Sequence, residues 1–145
     1  MTQIDPMSGL EVLDRAECLT LLGHSSLGRL AVVVDGMPLV FPVNFTLDRG
    51  AIVMRTDPGT KLYGARHGPV AFECDGVDIV YHTGWSVLAT GTAEEVRNAA
   101  ELAELARLPL GLWCPGPKAT WLRIHPANLS GRRIPMHGHS RREGG

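Results

Sequence analysis

Several things are missing from this chain, and each absence closes off a class of function. No apolar run approaches the roughly 18 residues of a membrane span. The opening stretch Met1–Leu10 has no basic segment followed by an apolar core, so neither a membrane helix nor a secretory leader is expected. Cysteine is scarce: Cys18, Cys74 and Cys114 are odd in number, widely spaced and without a C-x-x-C pair. That argues against a disulfide or zinc framework and for a cytoplasmic protein with buried, inert thiols. Charge of one sign is not in excess either. The formal net charge is −1, which leaves no global field favouring nucleic acid. A Walker loop, a G-x-G-x-x-G after a strand, H-E-x-x-H and G-x-S-x-G are all absent, which removes the commonest nucleotide, zinc-protease and serine-hydrolase chemistries. The six histidines are scattered, and His82, His125, His137 and His139 share no metal-ligand spacing, so no metal site is expected.

What is present is a soluble globular composition, 44% hydrophobic and 20% charged over 145 residues, enough for one domain with a real core. Met1–Val12 reads as a leader and 135–145 as a tail, both expected to be mobile. Between them, Asp14 three residues before Glu17 caps a short helix ending at Gly23. A first strand covers Leu27–Val34, and Asp35-Gly36 turns the chain into a second at Pro38–Leu47. Asp48-Arg49-Gly50 leads to a third, Ala51–Thr56. A short helix from Thr60 to Arg66 precedes a fourth strand, Val70–Cys74, and Asp75-Gly76 is read as another turn. Val77–Ala93 is a long strand with a bulge or bend expected at Gly84, and Glu94–Arg107 is read as a helix. A Pro/Gly loop, Leu110–Lys118, leads to a last strand from Ala119 to Ile124, resuming near Leu129. Six strands joined by tight turns predict a mainly β, antiparallel barrel, since a parallel sheet needs helical crossovers.

The stretch Met37–Leu62 organises this pattern. Two β-branched runs meet a compact loop in which Arg55, Thr56, Thr60 and Lys61 can surround one dianion with cationic and hydroxyl donors. An ordinary turn carrying solvated charges fits the same residues.

Gly28-Arg29-Leu30, then P-V-N-F, M-R-T-D-P-G-T-K and G-W-S-V-L-A-T-G-T-A-E-E-V resemble, in order and spacing, the pyridoxamine 5′-phosphate oxidase-like family. This is the FMN-binding split barrel, and the closest likeness is to its small branch of nitroimidazole-resistance-type proteins. The resemblance spans Leu13–Ile134. It implies that Arg55, Thr56, Thr60 and Lys61 hold the FMN phosphate. It implies also that Pro42, Val43, Asn44 and Phe45 lie along the isoalloxazine, and that Ser86 beside Trp85 reaches the flavin across a homodimer interface. Trp85 reads equally as a core or interface aromatic.

The chain departs from the true oxidases of vitamin B6 at its end, where their longer basic segment is replaced by Met136-His137-Gly138-His139 and an Arg-rich tail. Arg123-Ile124-His125 resembles their Arg-x-His, but it lies inside a strand pattern and reads as a polar surface pair. The implied function is therefore FMN-dependent hydride or electron transfer to a small molecule, with no side chain assigned to catalysis. The alternatives are the same fold binding deazaflavin or haem, and a non-enzymatic flavin carrier or sensor.

Overall fold

In the computed structural model, which describes residues 3–111 and 119–136, strand pairing dominates. The elements follow in the order β1 (Gln3–Ile4), β2 (Glu11–Leu13), α1 (Arg15–Gly23), β3 (Leu27–Val34), β4 (Met37–Asn44), β5 (Thr46–Asp48) and β6 (Ala51–Thr56). Then come α2 (Thr60–Arg66), β7 (Val70–Asp78), β8 (Thr83–Val96), α3 (Ala99–Leu105) and β9 (Thr120–Ile134). All pairings among them are antiparallel. The six expected strands correspond to β3, β4 with β5, β6, β7, β8 and β9. The segment read as a leader supplies β1 and β2, and β2 pairs with the end of β9. Of the tail, only Pro135 and Met136 fall among the described residues.

The sheet runs β1-β2-β9-β8-β7-β3-β4, and β6 joins β9 on one side and β5 on the other. Because β4 continues into β5 through Phe45, the ring is closed by the chain itself at that residue rather than by a ladder of hydrogen bonds. This is the split of a split barrel. Phe45 donates its backbone N–H to the Ser26 carbonyl at 3.1 Å, and its buried ring meets Phe72 edge-on at 4.8 Å. The main core gathers around this pair, with Leu30, Val32, Ile52, Met54, Val87, Ala89, Leu122 and Ile124. A smaller core of Val53, Val96, Leu105 and Trp121 lies on the other side of β6 and β9. The alternation along β6 and β9 dictates this arrangement, since successive side chains point to opposite faces.

Local chemistry explains most boundaries. Asp14 accepts from the Glu17 N–H at 2.8 Å and starts α1. Asp35 and Gly36, and Arg49 and Gly50, all take positive φ, the conformation of two-residue hairpin turns. Four expectations are corrected. Asp75-Gly76 is not a turn: both residues pair within the ladder, with Ser86 and Trp85, and the hairpin closes at Ile79–His82. There Asp78 accepts from the N–H groups of Val80 and Tyr81. The break in β8 is at Thr90/Gly91, not Gly84, because a Cβ at Gly91 would stand 2.3 Å from the His125 carbonyl. Residues 94–96 are strand, since Val96 pairs with Trp121 and is buried in the small core. The helix begins only after Asn98, which accepts from Ala100 and Glu101 N–H groups. Finally, the last strand is continuous over Thr120–Ile134.

Candidate functional site

Thr56 and Lys61 bracket a tight corner in which β6 ends, Asp57-Pro58-Gly59 turns and α2 begins. Arg55 is half-buried on the outer side of β6, its guanidinium carbon 5.1 Å from the centroid of the Trp121 ring. Lys61 is half-buried too, with Nζ 5.6 Å from the centroid of Phe41 on β4. Thr60 is exposed. Thr56 is turned inward, 1% exposed, and its hydroxyl donates to the Asp57 carbonyl at 3.2 Å. The corner therefore presents two cations and one hydroxyl to the surface. Both cations lean on aromatic faces, which attract them through the ring quadrupole.

Within the predicted ring-binding run, Val43 and Phe45 are core side chains, so their backbone is what remains available to a ligand. Pro42 is exposed. The Asn44 amide donates to the Ser26 carbonyl at 3.2 Å. Strand β4 has β3 as its neighbour and stands at the end of the sheet, so its outer backbone edge faces away from the ladder. Pro38 and Pro42 protect that edge against adventitious strand pairing. Lys61 over Phe41 brings the cationic corner against this same strand. Two cations and a hydroxyl match a phosphate dianion, and an unladdered strand edge can supply backbone donors and acceptors to the rim of a planar heterocycle.

Trp85 and Ser86 are elsewhere. Arg55 pairs with Trp121 and Trp121 with Val96, so Ser86 stands ten residues along β8 from the corner, about 33 Å of strand. The two also point apart. Trp85 packs against the main core over Gly76, where a Cβ would come within 2.7 Å of the indole nitrogen. Ser86 lies on the opposite, open face between Asp75 and Arg132. Trp85 and Ser86 nevertheless both line one cleft of about 290 Å³, together with Leu10, Asp75, Arg132 and Ile134. One chain thus keeps the predicted phosphate corner and the predicted serine at opposite ends of one strand.

The open face carries a charge cluster that the sequence motifs do not indicate. Arg29 bridges Glu73 at 3.4 Å and Asp75 at 3.5 Å. Burial, and then the neighbouring Asp75, push the Glu73 carboxyl up to about 7 against the pull of Arg29. Around this cluster stand Val33, Val40, Val77, Leu88 and Ile134, each 40% exposed or more. The alternation of apolar with charged residues on β3 and β7 carried the signal, but strand order was needed to see one surface.

The Arg-x-His tripeptide is tied up in contacts with carboxylates. Arg123 donates to Glu94 and to Glu101, each at 2.9 Å, and His125 stands 3.1 Å from Glu94. These two neighbours hold the Glu94 carboxyl below its usual range, His125 having the larger effect. Together with Arg49–Glu104 at 3.1 Å, they fasten α3 to β9 and to the β5–β6 turn. Cys18 and Cys74 are buried, and burial pushes both thiols up, which leaves them poor nucleophiles. Cys114, His137 and His139 lie outside the described residues. Among the described residues no three His, Cys, Asp or Glu side chains are placed to hold a metal, and no helix is long and apolar enough to cross a membrane.

Known proteins resemble this chain in sequence and in fold. An FAD-binding protein from Mycobacterium smegmatis is 39% identical, over 85% of this chain and 96% of its own, with a TM-score of 0.73. An uncharacterized protein of Mycobacterium tuberculosis is 34% identical over 137 residues, covering 89% of this chain and 90% of its own. An FAD- and haem-binding protein from Mycobacterium smegmatis shares the fold at 21% identity and a TM-score of 0.65, over 82% of this chain and 70% of its own. The family model for pyridoxamine 5′-phosphate oxidase matches residues 14–133. The order of the motifs, the split antiparallel barrel and this match over most of the chain lead to one conclusion: the protein belongs to the pyridoxamine 5′-phosphate oxidase family.

Proposed function

We propose that the protein binds FMN and works as a flavin-dependent oxidoreductase, as a homodimer with each cofactor between the two copies. The observation that carries this reading is Lys61 standing over Phe41 of the edge strand. It makes neighbours of the cationic corner and of the strand assigned to the ring. In this reading Arg55 and Lys61 neutralise the phosphate and the Thr60 hydroxyl donates to it. The backbone of Pro42–Phe45 meets the rim of the isoalloxazine. Thr56 holds the corner from inside through its bond to the Asp57 carbonyl. A bound flavin supplies the hydride or electron transfer, and the protein supplies binding and electrostatics.

In this reading the serine comes from a second copy, because the serine end of β8 is about ten residues of strand from the corner in its own chain, roughly 33 Å. The apolar open face around Leu88 and Val40 is a surface such a copy would bury. FAD is the second reading, favoured by the ligand of the relative that is 39% identical. The corner would grip the riboflavin 5′-phosphate that both cofactors share. The test is the protein as purified: flavin absorbance, with the molecule released on denaturation identified by mass spectrometry as FMN or FAD. Oxidation of a reduced nicotinamide by the loaded protein separates an enzyme from a carrier. A preparation that takes up neither flavin from solution would sink the proposal.

A further inference from the structure

We infer that Trp121 is a positioning residue for the phosphate corner: its indole, immobilised by the small core beneath α3, fixes the Arg55 guanidinium in the orientation that grips the anion. This rests on the corner being the flavin phosphate site. Arg55 and Trp121 are register partners on β6 and β9, and the guanidinium carbon lies 5.1 Å from the ring centroid. Trp121 is itself 7% exposed, packed with Val53, Val96 and Leu105 and rimmed by Leu102, Leu108 and Leu110. An unconfined arginine loses substantial rotamer freedom when it binds. A guanidinium held over a buried indole has less of that freedom to lose, and a ring face favours the planar fork of arginine over the point charge of lysine.

The placement of Trp121 also separates this role from barrel packing. Leu122 and Ile124 fill the main core, whereas Trp121 lies on the other face with Val53, the face that Arg55 shares. Lys61 over Phe41 offers no equivalent, because an ammonium has no plane for a ring to orient.

The experiment titrates apo-protein with FMN and with riboflavin, which lacks the phosphate, while circular dichroism confirms folding. Trp121→Leu and Trp121→Met are expected to weaken FMN about three- to tenfold and leave riboflavin unchanged, the span of a cation–π contact. Trp121→Phe should retain most of the FMN affinity. In an Arg55→Gln background, Trp121→Leu should cost FMN nothing further. Arg55→Lys, which replaces no core residue and keeps the charge without the plane, should reproduce most of the Arg55→Gln loss. Equal weakening of both ligands, a Trp121→Leu loss that persists without Arg55, or full FMN affinity in Arg55→Lys would each overturn the inference. If Arg55→Gln weakens FMN while the Trp121 variants do not, only the positioning role falls. If neither Arg55→Gln nor Lys61→Ala discriminates FMN from riboflavin, the phosphate reading itself falls.

Discussion

The two ends of β8 differ in how completely one chain finishes them. At Val96 the strand is paired with β9, backed by the small core and covered by α3, whose ion pairs to Arg49 and Arg123 fasten it down. The Arg55–Lys61 corner stands at this finished end. At Ser86 the strand is paired on both sides, but its outer face carries exposed Leu88, Val77 and Ile134 around a partly buried charge cluster. A protein that stood alone would not gain from an apolar face of this kind. The proposed homodimer joins the two ends: the cationic corner is built within one chain, and the open face around the distant serine is what a second copy would cover.

Breaking the unfinished end should have the largest effect. Leu88→Asp places a charge in the middle of the open face without touching the core, so the fold should survive. We expect light scattering to change from a species of twice 15.7 kDa to one of 15.7 kDa, with flavin retention lost. A variant that stays dimeric would show that the copies meet elsewhere.

Lys61→Ala acts on the finished end. Loss of one charge-assisted contact, about 1.5–3 kcal/mol, should weaken FMN roughly ten- to a hundredfold and leave riboflavin almost unaffected. Calorimetric titration of both ligands measures it, and equal weakening would place the phosphate elsewhere.

A smaller effect sharpens the contrast through pH. The folded state holds the Glu73 proton more tightly than the unfolded chain does, with 4.5 raised to about 7. Its contribution to stability is therefore full below about 4.5 and falls as pH rises towards 7. Glu73→Gln should flatten the melting temperature across that window and raise it at pH 8. An unchanged slope would mean that Arg29 compensates the charge fully.

The smallest expected change is at Glu104. Its pair with Arg49 joins two side chains that are 62% and 78% exposed, so Glu104→Gln should alter stability by less than about 0.5 kcal/mol. A larger loss in chemical denaturation would show that the ion pairs over α3 act as a network rather than singly.

Much of this was legible in the chain. The hairpins at Asp35-Gly36 and Arg49-Gly50 were readable because their residues tolerate positive φ, and α1 because Asp14 can cap it. The cationic corner was readable because its residues are neighbours in sequence. Asp75-Gly76 misled for the same reason: its turn chemistry is real, but the ladder with β8 runs unbroken through it to Asp78, and that cooperative pairing outweighs a local preference. Glu94–Val96 misled because its helical composition is overridden by a register that puts Val96 against Trp121.

What the sequence determined by itself is whatever depends on near neighbours: the β class, most of the turns, the caps and the cluster of cations and hydroxyls at the Arg55–Lys61 corner. Only the tertiary structure decided which distant residues share a face. It set Trp121 beneath Arg55, turned Thr56 inward, placed Trp85 and Ser86 on opposite sides of the sheet, and assembled Arg29, Glu73 and Asp75 on the open one. The physical reason is register. A strand specifies that its side chains alternate, but the pairing of β6, β8 and β9 fixes which alternating set meets which, and a shift of one residue would exchange every face.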